Sequence, residues 1–216
     1  MERPQKTSRL EKETLSPSQR IIRHFFELHK PTEQVVRFGH EQKTSGEMSK
    51  LEQSLSEHVH GMAVLADLIL DADPAAKTLD RARIHTLIRY HDAHEVITGD
   101  VIIKNDSVRK EEAAAEETIT HLEALRGNED IETLLAEYHA QETPEARFVK
   151  GIDRLEAYLT MMYAGRAEKL NNRITDAQAI ADMTRTVSPL LADTQKLVLR
   201  FLMHEKSAQK EFDFIR

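Results

Sequence analysis

Residues 51–74 read LEQSLSEHVHGMAVLADLILDADP, and the spacing of their apolar side chains decides the fold class. Leu55, Val59, Met62, Ala63, Ala66, Ile69 and Leu70 recur at three- and four-residue steps. That is the period of one face of an α-helix. The spacing predicts a helix from about Leu51. Asp73-Pro74 ends it, because proline offers no N–H and its ring presses on the preceding turn.

The same period continues on both sides. Ile84, Leu87, Ile88 and His91 recur at i, i+3, i+4 and i+7, and Thr98-Gly99-Asp100 is a turn signal. Residues 107–126 are rich in Ala and Glu and are closed by Gly127 as a C-cap; the Glu-rich run 111–117 reads as a solvated helix face. Ile131, Leu134, Leu135 and Tyr138 give a further short helix. Thr143-Pro144-Glu145 opens a long one carrying Phe148, Ile152, Leu155, Leu159 and Met162. Two more are expected around Ile180–Val187 and Leu190–Met203. Towards the N-terminus, Ser16-Pro17 reads as an N-cap with proline at the first helical position. Ile21, Ile22, Phe25, Phe26 and Leu28 follow, in a helix expected to stop at Pro31. Residues 39–50 read as a loop, and the polar residues 1–15 as a flexible segment. No stretch alternates at period two beyond the short run Val101-Ile102-Ile103, and there are no internal repeats. The expected architecture is all-α, with residues 16–216 forming one domain, a bundle of roughly seven to nine helices.

The 216 residues contain no cysteine, which removes disulfides, thiolate nucleophiles and thiolate metal sites together. A metal would have to sit on His, Asp, Glu, carbonyl oxygen or water. That donor set accepts one divalent ion of several kinds (Mn, Co, Mg, Fe, Ni or Zn). The net charge of −7 comes with no basic face, so no nucleic-acid partner is expected. No apolar run approaches the ~20 residues of a membrane span, and the first fifteen residues hold no apolar secretory core. A cytoplasmic protein is the expectation.

Polar residues at inward positions are where chemistry is to be sought. His58 shares a helix face with Met62, Leu65 and Ile69, and His91 continues the stripe of Ile84, Leu87 and Ile88. Asp153 lies one residue past Ile152, at the edge of its buried stripe. Burying an unpaired carboxylate is costly, so Asp153 wants a cation or several donors. Asp92 follows His91, and neighbours on a helix point about 100° apart. The two can share an ion only near a helix end, which the turn at Thr98-Gly99 allows. Singly these signals are weak. Chance alone gives about 0.7 His-Asp pairs in such a chain. A lone inward His is more often a hydrogen-bonded core residue, and a lone Asp more often pairs with a neighbour such as Arg154. The combination across three helices carries the weight. Glu95 and Asp100 could orient a metal-bound water and move its proton, though alone each reads as a surface group. His60 and His94, two or three residues from a proposed ligand, should point elsewhere.

Three stretches carry a resemblance: Ser56-Glu57-His58, Tyr90-His91-Asp92-Ala93-His94-Glu95-Val96-Ile97-Thr98-Gly99-Asp100, and residues 146–157, ARFVKGIDRLEA. Together they resemble the HD-domain phosphohydrolases, and are most similar to the bacterial 5′-deoxynucleotidase branch and its eukaryotic relatives. The resemblance runs from about Ile21 to Ala164. It implies an all-α domain, often a homodimer, with a divalent metal on His58, His91, Asp92 and Asp153. It implies that Glu95 is the catalytic carboxylate, that Asp100 works with it on the water, and that a nucleoside 5′-monophosphate is hydrolysed. Where the family carries an Arg-Trp pair near phosphate and sugar, this chain has Arg37-Phe38 and no Trp anywhere. The loop that follows is longer than the family's. Val101-Ile102-Ile103 replaces the prolines that often precede a lysine, here Lys104. Arg37, Phe38 and Lys104 are the expected substrate contacts, the two cations for phosphate. Two alternatives stay open: hydrolysis of another nucleotide or small phosphate ester, and a non-catalytic metal-binding regulatory protein. The alarmone branch has two adjacent acids where Glu95 is followed by Val96, and the cyclic-dinucleotide branch needs a Gly-Tyr-Pro element that is absent.

Overall fold

The computed structural model describes residues 16–37, 53–98, 129–163, 186–202 and 212. Helix α1, Pro17–His24, starts on a capping box: Gln19 N–H donates to Ser16 Oγ, and the Gln19 side chain accepts from Ser16 N–H at 2.8 Å. The chain does not stop at Pro31 as the sequence reading expected. It passes through a π-turn, Phe25–His29, into the single turn α2, Lys30–Thr32, with Lys30 N–H reaching back to the Phe25 carbonyl. The wider turn leaves room for a proline ring that a regular α-turn would press against the carbonyl four residues back.

Two strands follow, β1 Val36–Arg37 and β2 Gln53–Ser54. They pair antiparallel with Val36 opposite Ser54 and Arg37 opposite Gln53. The sequence reading had no strand here, because two-residue strands are too short to show an alternation. The expected loop 39–50 lies outside the described residues.

Helix α3, Leu55–Ala72, begins later than the expected Leu51. Its N-cap is Ser54, whose hydroxyl accepts from Glu57 N–H while Glu57 Oε2 accepts from Ser54 N–H at 2.7 Å. After Asp73 comes a 3₁₀ segment, Pro74–Thr78, and then α4, Arg81–Tyr90, capped by Asp80. The rest comprises α5 Glu95–Thr98, α6 Glu129–Ala140, α7 Pro144–Tyr163 and α8 Pro189–Leu202. Six helices of eight residues or more stand among the described residues, fewer than the seven to nine expected. The expected helix at 107–126, the run 101–103 and residues 180–185 of the helix expected around 180–187 lie outside them; Thr186 and Val187 are described and are not helical.

Helix α7 is the centre of the packing, touching α3, α4, α6 and α8. Its Phe148, Val149, Ile152 and Leu155 are fully buried against Met62 and Ala66 of α3, Ile84, Leu87 and Ile88 of α4, and Leu191 and Leu202 of α8. Gly151 permits the close approach of α8: a Cβ there would stand 2.9 Å from Leu191 Cδ2, and Gln195 Nε2 donates to the Gly151 carbonyl at 2.7 Å. Asp73 fastens the start of α8, accepting from Ser188 Oγ at 2.5 Å and from Leu190 N–H at 3.2 Å. These contacts hold α3, α4 and α7 in register, with one polar spot between them.

Candidate metal centre

His58 sits in the first turns of α3 on the face shared by Leu55 and Met62, and it is 0% exposed. Helix α4 ends at Tyr90. His91 is its C-cap, with its N–H on the Leu87 carbonyl, and residues 91–94 form a turn before α5. Leaving the helix lets two consecutive side chains aim at one point, with His91 Nε2 and Asp92 Oδ2 only 2.9 Å apart. Asp153 reaches in from α7, its Oδ1 3.4 Å from His58 Nε2; Asp92 Oδ2 lies 3.9 Å from the same nitrogen. One donor atom from each of His58, His91 and Asp153 lies within 4.8 Å of the other two.

Both imidazoles are oriented from behind. His91 Nδ1 donates to the Ile88 carbonyl at 2.9 Å, and His58 Nδ1 faces Glu156 Oε2 at 2.5 Å. Carbonyl and carboxylate oxygens only accept, so each ring holds a proton on Nδ1 and, in its neutral form, turns a bare Nε2 inward. Those two Nε2 atoms are buried and have no hydrogen-bond partner. Leaving a buried acceptor unsatisfied costs ~1–3 kcal/mol. A divalent ion between them would satisfy both while neutralising the carboxylates, and two imidazoles with two carboxylates are a donor set such ions accept. The residues fit a metal.

The acids are ionised as ligation requires. Burial pushes Asp92 up, but the His91 imidazole and the Arg37 guanidinium outweigh it and hold the carboxyl far below the usual range. Burial also pushes Asp153 up; Lys150, His58 and His91 outweigh it and hold that carboxyl well below its ordinary value. Burial lowers Lys150, but Asp153 more than offsets this and keeps the ammonium charged. Tyr138 is raised by burial first and by Asp153 next, so its hydroxyl stays protonated and donates to Asp153 Oδ2 at 3.1 Å. Lys150 Nζ donates to that same oxygen at 3.0 Å and to Tyr138 Oη at 2.9 Å. Asp153 therefore spends Oδ2 on these donors and keeps Oδ1 for the centre.

The structure brings together His58, His91, Asp92 and Asp153, and it puts Arg37 beside them, with Nη1 2.8 Å from Asp92 Oδ2. Glu95 opens α5 right after the turn and is buried. Its place does not come from α4 persisting, since α4 has already ended. Phe38, Asp100 and Lys104 lie outside the described residues. Asp153, expected at the edge of the buried stripe with Arg154 as its alternative partner, is 9% exposed and takes Lys150 and Tyr138 instead. His60 is exposed and His94 buried, and neither supplies an atom to the cluster. Sequence reasoning missed Lys150, Tyr138 and Glu156. Lys150 and Glu156 each stand three residues from Asp153, a spacing that puts all three on one face of α7.

Residues 40–195 match the HD-domain family. The chain is 35% identical over 129 residues to the 5′-deoxynucleotidase HDDC2 of Xenopus laevis, a match covering 57% of this chain and 61% of that one. It is 33% identical over 137 residues to the HDDC2 of Homo sapiens (61% and 63%), and 33% identical over 118 residues to the 5′-deoxynucleotidase hdd1 of Schizosaccharomyces pombe (50% and 57%). The matches thus span about three fifths of these relatives' length. Among solved structures, a protein described as a predicted metal-dependent phosphohydrolase from Magnetospirillum magnetotacticum MS-1 superposes with a TM-score of 0.65 at 18% identity, covering 86% of this chain and 96% of that one. A protein from Pyrococcus horikoshii OT3 does so with a TM-score of 0.54 at 20% identity, covering 86% and 97%. At such identities these two speak for the fold alone.

Proposed function

Because this chain belongs to the HD-domain family, we propose that it is a divalent-metal-dependent phosphohydrolase that releases phosphate from (deoxy)nucleoside 5′-monophosphates. The observation that carries the reading is the pair of buried imidazole Nε2 atoms without hydrogen-bond partners, facing two ionised carboxylates beside a guanidinium. The naming of three relatives as 5′-deoxynucleotidases supports the choice of substrate.

In this reading His58, His91, Asp92 and Asp153 hold the ion, which supplies Lewis acidity at the phosphate and lowers the pKa of a water. Arg37 turns its guanidinium to a phosphate oxygen and neutralises the charge that grows there. Glu95 takes a proton from the attacking water, aided by Asp100. Water oxygen bonds to phosphorus, the bond from phosphorus to O5′ breaks, and the nucleoside leaves once O5′ regains a proton. Lys104 is assigned to the phosphate and Phe38 to the sugar. The turn at 91–94 and the β1–β2 pair place Arg37 beside Asp92, so its guanidinium has only a short way to turn when substrate arrives. A homodimer enters the proposal as what the family resemblance implies, and a cytoplasmic location as what the sequence reading expects. No helix among the described residues is long and apolar enough to cross a membrane.

The test is incubation of the protein, loaded with Mn, Co or Mg, with a panel of ribo- and deoxyribonucleoside monophosphates, reading free phosphate. Release from at least one 5′-monophosphate is the expected result. No release from any of them with any of the three ions overturns the proposal.

A further inference from the structure

Glu156 is a buried acid, 5% exposed, that the reaction as written does not use. Every oxygen of its carboxylate is engaged. Oε2 faces His58 Nδ1 at 2.5 Å. Oε1 accepts from Gln53 Nε2 at 2.6 Å and from Thr160 Oγ1 at 2.9 Å. The space it lies in is made by Gly61 on α3: a Cβ there would stand 3.0 Å from Glu156 Oε1 and 3.2 Å from its Cγ. Glycine in the middle of a helix is unfavourable against alanine, so its presence here asks for a reason, and the passing carboxylate is one. Gln53 is in turn the cross-strand partner of Arg37, which holds Asp92. The two-strand ribbon therefore supports two of the four proposed ligands from one cross-strand pair.

We propose that Glu156 is a positioning residue of the metal centre: its carboxylate takes the Nδ1–H of His58 and so fixes the ring's tautomer and direction, in a slot that Gly61 keeps open and that Gln53 and Thr160 brace. A carboxylate behind a ligating imidazole keeps Nε2 bare, holds the ring against rotation and raises its basicity as a donor. His91 gets only a backbone carbonyl for the same purpose, so the two imidazoles are not equivalent. His58 is the stronger donor of the pair. The inference rests on the metal-centre reading given above.

The experiment measures affinity for Mn and Co ions by competition between the full chain and a chromophoric chelator. Glu156→Ala is expected to weaken binding ~10–100-fold and Glu156→Gln about tenfold. Gln53→Ala removes one brace, with an expected loss of about threefold. Gly61→Ala separates positioning from folding. The added methyl crowds Glu156, so metal affinity should fall, and the unfolding midpoint of the metal-free variant shows whether the chain is still folded when it does. Nitrogen-15 NMR of the metal-free wild type, at a pH where the ring is neutral, should find the His58 proton on Nδ1. Wild-type affinity in a folded Glu156→Ala protein overturns the inference, as does a His58 proton on Nε2. If Glu156→Ala fails to fold, unchanged affinity in both Gly61→Ala and Gln53→Ala overturns it. A wild type that binds neither ion overturns the metal-centre reading too, whereas a binding wild type with unaffected variants overturns this inference alone.

Discussion

A helix continued past Tyr90 would carry Asp92 about 100° round from His91, and the two could not meet at one ion. The turn at residues 91–94 removes that obstacle and puts Glu95 at the start of a new short helix. Glu95 is assigned to proton transfer and not to ligation, which separates two measurable quantities. In Glu95→Gln, bound metal measured by elemental analysis should stay at the wild-type level while phosphate release falls ~10²–10⁴-fold. Retention of a tenth of the activity would remove Glu95 from that role. At this scale the histidines were legible in the sequence because imidazole on an apolar stripe is conspicuous, and Asp92 because it adjoins one. Glu156 and Lys150 were not. Glu and Lys on a helix default to solvent. Only the packing of α7 against α3 and α6 shows that these two point inward.

Single elements are held by their ends. Asp73 closes α3, caps the 3₁₀ segment through Ala75 N–H and anchors the start of α8 through Ser188 and Leu190. Asp73→Ala removes a cap and strands the Ser188 hydroxyl, a loss of roughly 2 kcal/mol. The loss should depend on pH. The Ser188 hydrogen bond, opposed by burial and aided by the backbone amides, holds the folded-state carboxyl below its ordinary value. A depressed folded pKa gives stability that is complete above the unfolded value of ~3.9 and vanishes as pH falls through the lower folded value. Urea unfolding of wild type and variant should therefore differ at neutral pH and converge as the pH is taken below 3.9. A constant gap would mean that Asp73 acts through packing alone. The six longer helices were legible in the sequence; their ends, the single turns α2 and α5 and the 3₁₀ segment were not. Ser54 with Glu57 is a capping box in plain view, yet apolar residues just upstream pull the expected start to Leu51. The π-turn before Pro31 makes room for the proline ring, but in the sequence a proline there reads just as well as a helix stop.

On the scale of the molecule, the proposed ligands come from α3, the end of α4 and the middle of α7, three segments joined mainly through the core that α7 organises. An ion held there binds the folded chain and not the unfolded one, so it should stabilise the whole domain. At a free ion concentration a hundred times the dissociation constant the gain is ~2.7 kcal/mol, or a rise of about 5–10 °C in unfolding temperature for a domain of this size. Calorimetry with excess Mn against excess chelator measures it. Identical midpoints would show that no ion is held by the native state. The all-α class was legible from periodicity alone, because almost every described segment keeps the 3.6-residue spacing. The polar ribbon that carries Arg37 and Gln53 was not, since pairing between residues so short of strand length is decided by what they pack on.

Lys150, Asp153, Glu156 and Thr160 follow one another along α7 at steps of three, three and four, so a single helical row meets Tyr138, the cluster and His58 in turn. The row works only while its phase is intact. One residue inserted between Lys150 and Glu156 would rotate everything beyond it by about 100°, taking Glu156 and Thr160 off His58 and Gln53 in one event. The same residue added in the turn at 141–143, before Pro144, leaves the row whole. Substitutions in α7 can be judged one side chain at a time; changes of length cannot.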